Sequence, residues 1–382
     1  MLLDKKIEIT IFKLDDTTFE PIGQLDEYTS LMWPDAFLGK AMFQLWAPIT
    51  DSNAEKLKED NVLWCGGENA AVIKIVKETV NENGEKEFNV KGWTLEYFLI
   101  DKIIEGLYNK NGSNYISTIM YDIVDKMAIN PSNPNRKIPY LVNAEDKHLG
   151  KKTDGYQKTG GNLYDALYDM AFEADIGFSV LFDPYNQRLV FEVRAGVDRT
   201  QEQTENEPVV FSTDLEDVLS STYYLNIEDV KNVAMVQGEE KNGKRTTVYV
   251  GDTSLKGFKR KELYVDARDL QSEVYDEDGT SHTLTAAQYN AILTQRGNEK
   301  LAEHQKTETF EAQIRQFGDV QYEFGVDYQK GDKITIVDRQ LGLSVSARIT
   351  SVEEDFDDEY ALILTFGYSY PTLLQRAKRQ MS

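Results

Sequence analysis

Residues 322–366 read YEFGVDYQKGDKITIVDRQLGLSVSARITSVEEDFDDEYALILTF, and the parsing of this stretch decides the fold. Three segments in it alternate apolar and polar residues: Ile334/Ile336, then Val345/Ala347/Ile349 with Val352, then Leu362/Leu364/Phe366. Gly and Asp fill the separators, which is the pattern of an antiparallel meander with one buried face. Three strands alone leave two open edges, so this meander requires further strands or a partner.

A second meander lies near the N-terminus. Ile7/Ile9/Ile11 alternate, residues 41–47 and 61–65 read as strands, and residues 71–78 and 87–93 flank a hairpin turn at Asn81–Gly84. Residues 54–60 form a short helical or turn segment between them. Asp60-Asn-Val-Leu-Trp can be laid on Gly331-Asp-Lys-Ile-Thr, Ala70 onward on Val345 onward, and Glu87 onward on Leu362 onward. Order and turns agree although identities are few. This predicts two related β-barrels in one chain; the alternative is two unrelated meanders.

Between them the period changes. Thr94 is placed to cap a helix carrying Leu95, Leu99, Ile103 and Leu107, and Asn114 to cap one carrying Ile116, Ile119, Met120, Ile123 and Met127. Asn162 opens the clearest helix, with Leu163, Leu167, Met170 and Ala174 on one face and Gly177 at its end. Residues 178–182 and 188–193 form a hairpin. Thr285 and Gln288 make a capping box for a helix running to about His304. The expected fold class is α+β, mainly β: a first β-barrel domain over 1–97, an α+β domain over 98–200, and a second β-barrel domain over 201–382. A polar and helical segment over about 252–306 is inserted in the last.

Composition narrows the function. Asp and Glu number 65 against 42 Lys and Arg, a formal net charge of −23. That balance argues against sequence-specific nucleic acid binding, which needs a basic footprint, and against anionic membrane surfaces. No apolar run approaches the ~18 residues of a helical membrane span, so no membrane insertion is expected. The single Cys65 excludes an intrachain disulfide and reads as a buried strand thiol. The N-terminus lacks a signal-peptide core, so synthesis in a cytosol and solubility there are expected.

The residues offer no catalytic constellation. Glycine-rich phosphate loops and the Gly-x-Ser-x-Gly elbow are missing, and His148, His282 and His304 lie far apart in polar surroundings. Asp276-Glu-Asp-Gly279 opens like a calcium loop but has its Gly at the fourth position and Ala287 at the twelfth. The acidic run 353–359 reads as a solvated turn. Trp33, Trp46, Trp64 and Trp93 all fall in the first 97 residues, where strand core is one reading and a carbohydrate platform the other. No catalytic residue, cofactor or metal ligand is named, and the chain is expected not to be an enzyme.

Several stretches together resemble one family: residues 23–33 (GQLDEYTSLMW), 90–95 (VKGWTL), 176–184 (IGFSVLFDP), 193–200 (VRAGVDRT), 231–234 (KNVA), 265–270 (VDARDL) and 322–332 (YEFGVDYQKGD). In this order they look like the siphovirus Gp37-like tail proteins of phages and prophages, similar in role to baseplate hubs and to the N-terminal part of tail-associated lysins. The resemblance covers nearly the whole chain. It implies a homotrimer at the virion tail tip that closes the tube for DNA ejection and docks on the distal tail protein. It also implies contact with the tape measure protein and with receptor-binding or fibre proteins. The chain ends at Ser382 with a basic stretch at 375–380, and the expectation is that lytic and host-binding modules sit on other proteins. The competing readings are a receptor- or glycan-binding tail protein using the Trp-rich barrel, and a wall hydrolase with an acidic site.

Overall fold

The computed structural model describes residues 7–25, 27–80, 84, 86–212, 218–275, 280–314, 321–338, 343–356 and 360–367. The turn expected at 81–84, the excursion at 276–279, the tip of the acidic run at 357–359 and the basic stretch at 375–380 lie wholly or mostly outside them.

The N-terminal strands are β1 (Thr10–Leu14), β2 (Phe19–Gln24), β3 (Ser30–Ala36), β4 (Met42–Pro48), β5 (Val62–Trp64), β6 (Ala70–Val80) and β7 (Lys86–Thr94). Helix α1 (Asp51–Lys56), capped by the Thr50 hydroxyl, interrupts them. All pairings are antiparallel, in the order β3-β4-β7-β6-β5-β1-β2. Leu31 and Trp33 of β3 share a core with Ile11 of β1, five strands away along this path. The sheet therefore curls around its apolar face.

The middle contains β8 (Leu107–Tyr115), α2 (Ile116–Val124), β9 (Leu141–Asn143), β10 (Lys152–Thr159), α3 (Leu163–Glu173), β11 (Gly177–Asp183) and β12 (Arg188–Arg194). Three expectations change here. The helix expected from Thr94 is a five-residue 3-10 turn, Leu95–Leu99. Ile103 is exposed, Gly106 takes φ 70°, and Leu107 opens β8 against Thr159 of β10. The 95/99/103/107 spacing imitates a helix because a turn and a strand each contribute part of it. Asn114 lies in β8 and donates to the carbonyls of Asn111 and Gly112, so Tyr115 rather than Asn114 precedes α2. Asn162 does cap α3, its side chain accepting from Asp165 N, but the left-handed exit residue is Asp175 at φ 54°, and Gly177 begins β11.

The C-terminal half starts with β13 (Val210–Ser212) and β14 (Val218–Asn226). A lobe follows: β15 (Val233–Lys241), β16 (Lys244–Gly251), β17 (Glu262–Asp266), β18 (Glu273–Tyr275), β19 (Ser281–Thr283) and α4 (Ala286–Ala302) with the expected Thr285/Gln288 capping box. The lobe has its own core of Val236, Leu270, Ile292 and Leu293. Then come β20 (Thr307–Ile314), β21 (Lys333–Asp338), β22 (Leu343–Phe356) and β23 (Tyr360–Phe366). The run read first in the sequence is thus the meander β21-β22-β23. A bulge between Ile349 and Ser351 reverses the side-chain phase, which is why both Ile349 and Val352 are buried. The missing partners are β13 beside β21 and β20 with β14 beside β23. Phe211 of β13 and Phe366 of β23 lie three strand spacings apart along the sheet, roughly 14 Å if flat. Their rings are 6.2 Å apart, so this sheet curls too.

The two halves repeat one arrangement. β3-β4-β7-β6-β5-β1 corresponds to β14-β20-β23-β22-β21-β13. Asp60 and Gly331 both have positive φ, and the Asp60 N and Gly331 N donate to Ile73 O and Ile349 O. Those isoleucines donate back to Asn61 O and Asp332 O, and a bulge follows each of them. The correspondence Ile73 to Ile349 shifts the sequence superposition by one residue, which insertion in the turns hides. The copies differ in that β1 runs antiparallel to β5 while β13 runs parallel to β21.

The copies are joined edge to edge. Residues 351–356 of β22 pair with residues 31–36 of β3, giving one 13-stranded sheet among the described residues. Phe37 closes this seam. Its N donates to Thr350 O at 2.9 Å, its side chain is fully buried, and the Arg348 guanidinium lies 4.8 Å from its ring. A Cβ on Gly331 would stand 2.5 Å from that ring, and one on Gly177 2.2 Å from the Phe37 carbonyl oxygen. Phe37→Ala is expected to cost about 3–5 kcal/mol, read as a lower urea midpoint; an unchanged midpoint would show that the seam holds without the wedge.

Candidate functional site: the seam and its open edges

Among the described residues no group of three or more His, Cys, Asp or Glu is placed to hold a metal ion. The three histidines are not brought together. His148 is exposed, bonds Asp146 and stacks on Tyr115; His282 is exposed on β19; His304 bonds the Asp229 carbonyl. Cys65 follows β5, half-buried, and burial pushes its thiol far above the usual range, with Glu354 adding to the shift. Trp33 is core, and Trp46, Trp64 and Trp93 are half-buried.

Charge is concentrated instead beside the seam. Lys330 is buried against Asp35 of β3; burial pushes its ammonium down to about 8, with Asp35 opposing that shift. Glu96 lies buried nearby and accepts from Val180 N at 3.0 Å; burial raises its carboxyl. Asp175 receives Arg348 Nη2 at 2.7 Å and Lys333 at 2.7 Å, and these cations overcome burial to hold it below the usual carboxylate range. Asp332 is buried and accepts from Val197 N, Arg199 Nε and Gln329 N at 2.9–3.0 Å. Each of these groups ties one part of the chain to another. A cleft beside them, lined by Phe172, Tyr223, Phe310, Lys333 and Arg348, has its charges engaged in such pairs.

A second buried cluster docks the lobe. Glu299 of α4 is buried near Asp169 of α3, with Lys158 of β10 and Arg296 and Lys300 of α4 around it, and the Gln295 amide donates to both Glu299 and Glu173 of α3. Arg296 makes a two-pronged bond to Asp269 at 3.0 and 2.9 Å. Burial raises Glu299 to about 7 and Asp169 to about 6.

The remaining feature is a pair of open strand edges. Residues 75–80 of β6 pair with β7 on one side, and among the described residues no strand covers the other. Among the described residues β14 pairs with β20 and with no other strand. Both edges carry exposed apolar side chains: Ile75, Val76 and Val80 on one, Tyr224, Leu225 and the following Ile227 on the other. In the sequence, residues 71–78 read as an ordinary strand. The available signal was the loss of alternation, since Ile75-Val76 and Tyr223-Tyr224-Leu225 put apolar residues on both faces.

Comparison with known proteins gives one family match and several similar folds. A profile of the family described as Siphovirus ReqiPepy6 Gp37-like protein matches residues 8–368. No curated protein sequence matches. Among solved structures, the chain is similar to the 43 kDa tail protein of prophage MuSo2 from Shewanella oneidensis, with a TM-score of 0.54 and 13% identity over 94% of this chain and 97% of that one. It is similar to the tail protein from Neisseria meningitidis MC58 at 0.52 and 13%, covering 94% and 97%. It is also similar to prophage tail protein gp18 from Listeria monocytogenes EGD-e at 0.52 and 12%, covering 99% and 100%. At these identities the likeness concerns the fold alone.

The carboxylates under α4 give a pH prediction. Between about pH 4.5 and 7 the folded chain keeps protons on Glu299 and Asp169 that the unfolded chain has released, so stability falls as pH rises through that window. Glu299→Gln is expected to flatten the slope and to raise stability at pH 8 by on the order of 1–3 kcal/mol. Equal slopes in urea titrations of the two proteins at pH 5 and pH 8 would rule this out.

Proposed function

Because the chain belongs to the siphovirus Gp37-like family of phage tail proteins, we propose that it is the hub of the tail tip. In this reading three chains form a ring that closes the tail tube, sits on the distal tail protein, meets the tape measure protein and supports receptor-binding or fibre proteins. The observation that carries it is the repeat: one chain holds two copies of the same six-strand arrangement. Three chains then present six equivalent units, which lets a three-fold object mate with a six-fold tube.

The role is structural rather than catalytic, and the buried charges serve to hold parts of the chain together. The net charge of −23 is suited to a lumen through which DNA passes, since like charge keeps the nucleic acid from adhering. The alternative, glycan binding through an aromatic platform, draws no support from four tryptophans that are buried or half-buried.

Light scattering on the purified chain is expected to give three times its 43.6 kDa, and negative-stain images a ring with six lobes. A monomer that binds purified cell wall would overturn the hub in favour of a receptor-binding protein.

A further inference from the structure

The seam inside the chain supplies a template for the edges left open. The correspondence of Ile73 with Ile349 sets residues 75–80 of β6 against residues 351–356 of β22. Through β4 and β20, Ser30 corresponds to Ser220 and Trp33 to Tyr223, so residues 31–36 of β3 match residues 221–226 of β14. The two strands that meet within the chain are therefore the counterparts of the two strands whose outer edges no strand covers among the described residues.

The apolar positions agree as well. Val352 and Phe356, 3% and 5% exposed in the covered seam, correspond to Val76 and Val80, which are 36% and 60% exposed. Phe37, fully buried at the end of the seam, corresponds to Ile227, which is 56% exposed. Side chains that are core in one copy are apolar and bare in the other. A bare edge of this kind is a template for another strand.

We propose that residues 75–80 of β6 add, antiparallel, to the free edge of β14 in a second copy of this chain, in the register that β22 uses on β3. The inference rests on the hub reading and supplies its subunit contact. Lys77 then stands opposite Tyr224 as Glu353 stands opposite Pro34, Val76 opposite Leu225 as Val352 opposite Asp35, and Ile227 N donates to Lys74 O as Phe37 N donates to Thr350 O. The contact is head to tail: each chain offers a β6 edge on one side and a β14 edge on the other. If the step from chain to chain repeats the step from one half to the other, three chains close the ring.

Pro34 has no N–H to give, so the Glu353–Pro34 pair occupies a non-hydrogen-bonded position, and the counterpart Lys77 and Tyr224 do too. Their Cα atoms are then about 4.5 Å apart, within reach of a disulfide. The full-length chain carrying Lys77→Cys and Tyr224→Cys is oxidised and run on a non-reducing gel. A covalent trimer, returned to monomer by reductant, is expected. Lys77→Cys with Leu225→Cys, displaced by one residue and facing opposite sides, is expected to stay monomeric on the gel, as is the parent chain with Cys65 alone. Mixing the chain carrying Lys77→Cys alone with the chain carrying Tyr224→Cys alone, each with its native Cys65, should give mixed dimers that neither gives by itself. Val80→Asp, at an exposed position that leaves the subunit folded, should weaken association at least tenfold by light scattering. A trimer in solution without the cross-link would overturn the seam and leave the hub reading standing. A covalent ladder running past three would support the seam and overturn three-fold closure. A chain monomeric at every concentration and never cross-linked would overturn the contact as one the protein makes with itself.

Discussion

The rest of the molecule depends on the wedge of Phe37 at the end of the β3–β22 seam. Six residues of ladder fix the two halves side by side, and the ring beyond them sets their angle. That ring is held on one side by Gly331 and on another by Gly177, neither of which has room for a Cβ, and its face is covered by Arg348. Arg348 in turn bonds Asp175, the left-handed residue at the end of α3. One aromatic side chain thus couples the first sheet, the middle α+β part and the second sheet. Packed interiors transmit such constraints because they have few alternatives of equal density.

Duplication gives the fold its economy and its asymmetry. The same strand layout appears twice, with the same left-handed entry residue and the same bulge, but the environments differ. In one copy the long central strand is covered past its bulge by β3; in the other no strand among the described residues covers it. A repeat within a chain makes the internal contact a physical precedent for an external one, since the same backbone geometry meets the same kind of edge. The lobe between β14 and β20 stands apart from this logic. It has its own core and is fastened to the middle through a buried cluster that includes Glu299 and Asp169, whose carboxyls burial raises.

The acidic composition takes a different meaning once the pairs are placed. Asp35, Asp175, Asp269 and Asp332 each take a cation or backbone donors at a junction between segments. They are structural ties and leave the excess negative charge to the remaining acidic residues.

The sequence by itself determined the parts that local pattern encodes. Alternation at 334–336, 345–352 and 362–366 marked the C-terminal meander, Asn162 marked the start of α3, and Thr285 with Gln288 marked α4, because periodicity and capping are properties of neighbouring residues. Even the repeat was legible, to within one residue, from the order of strands and turns. The ordered motifs also pointed to the tail-protein family. Tertiary structure alone decided that Thr94 opens a single turn, since the 95/99/103/107 spacing does not register that Leu107 is claimed by β10. It alone decided that the halves share one sheet, that Phe37 meets Gly177 and Gly331, and that Val76 and Val80 are bare where Val352 and Phe356 are covered. Those facts concern residues hundreds of positions apart, and hydrophobic burial depends on which surfaces meet, a quantity that no local stretch of chain contains.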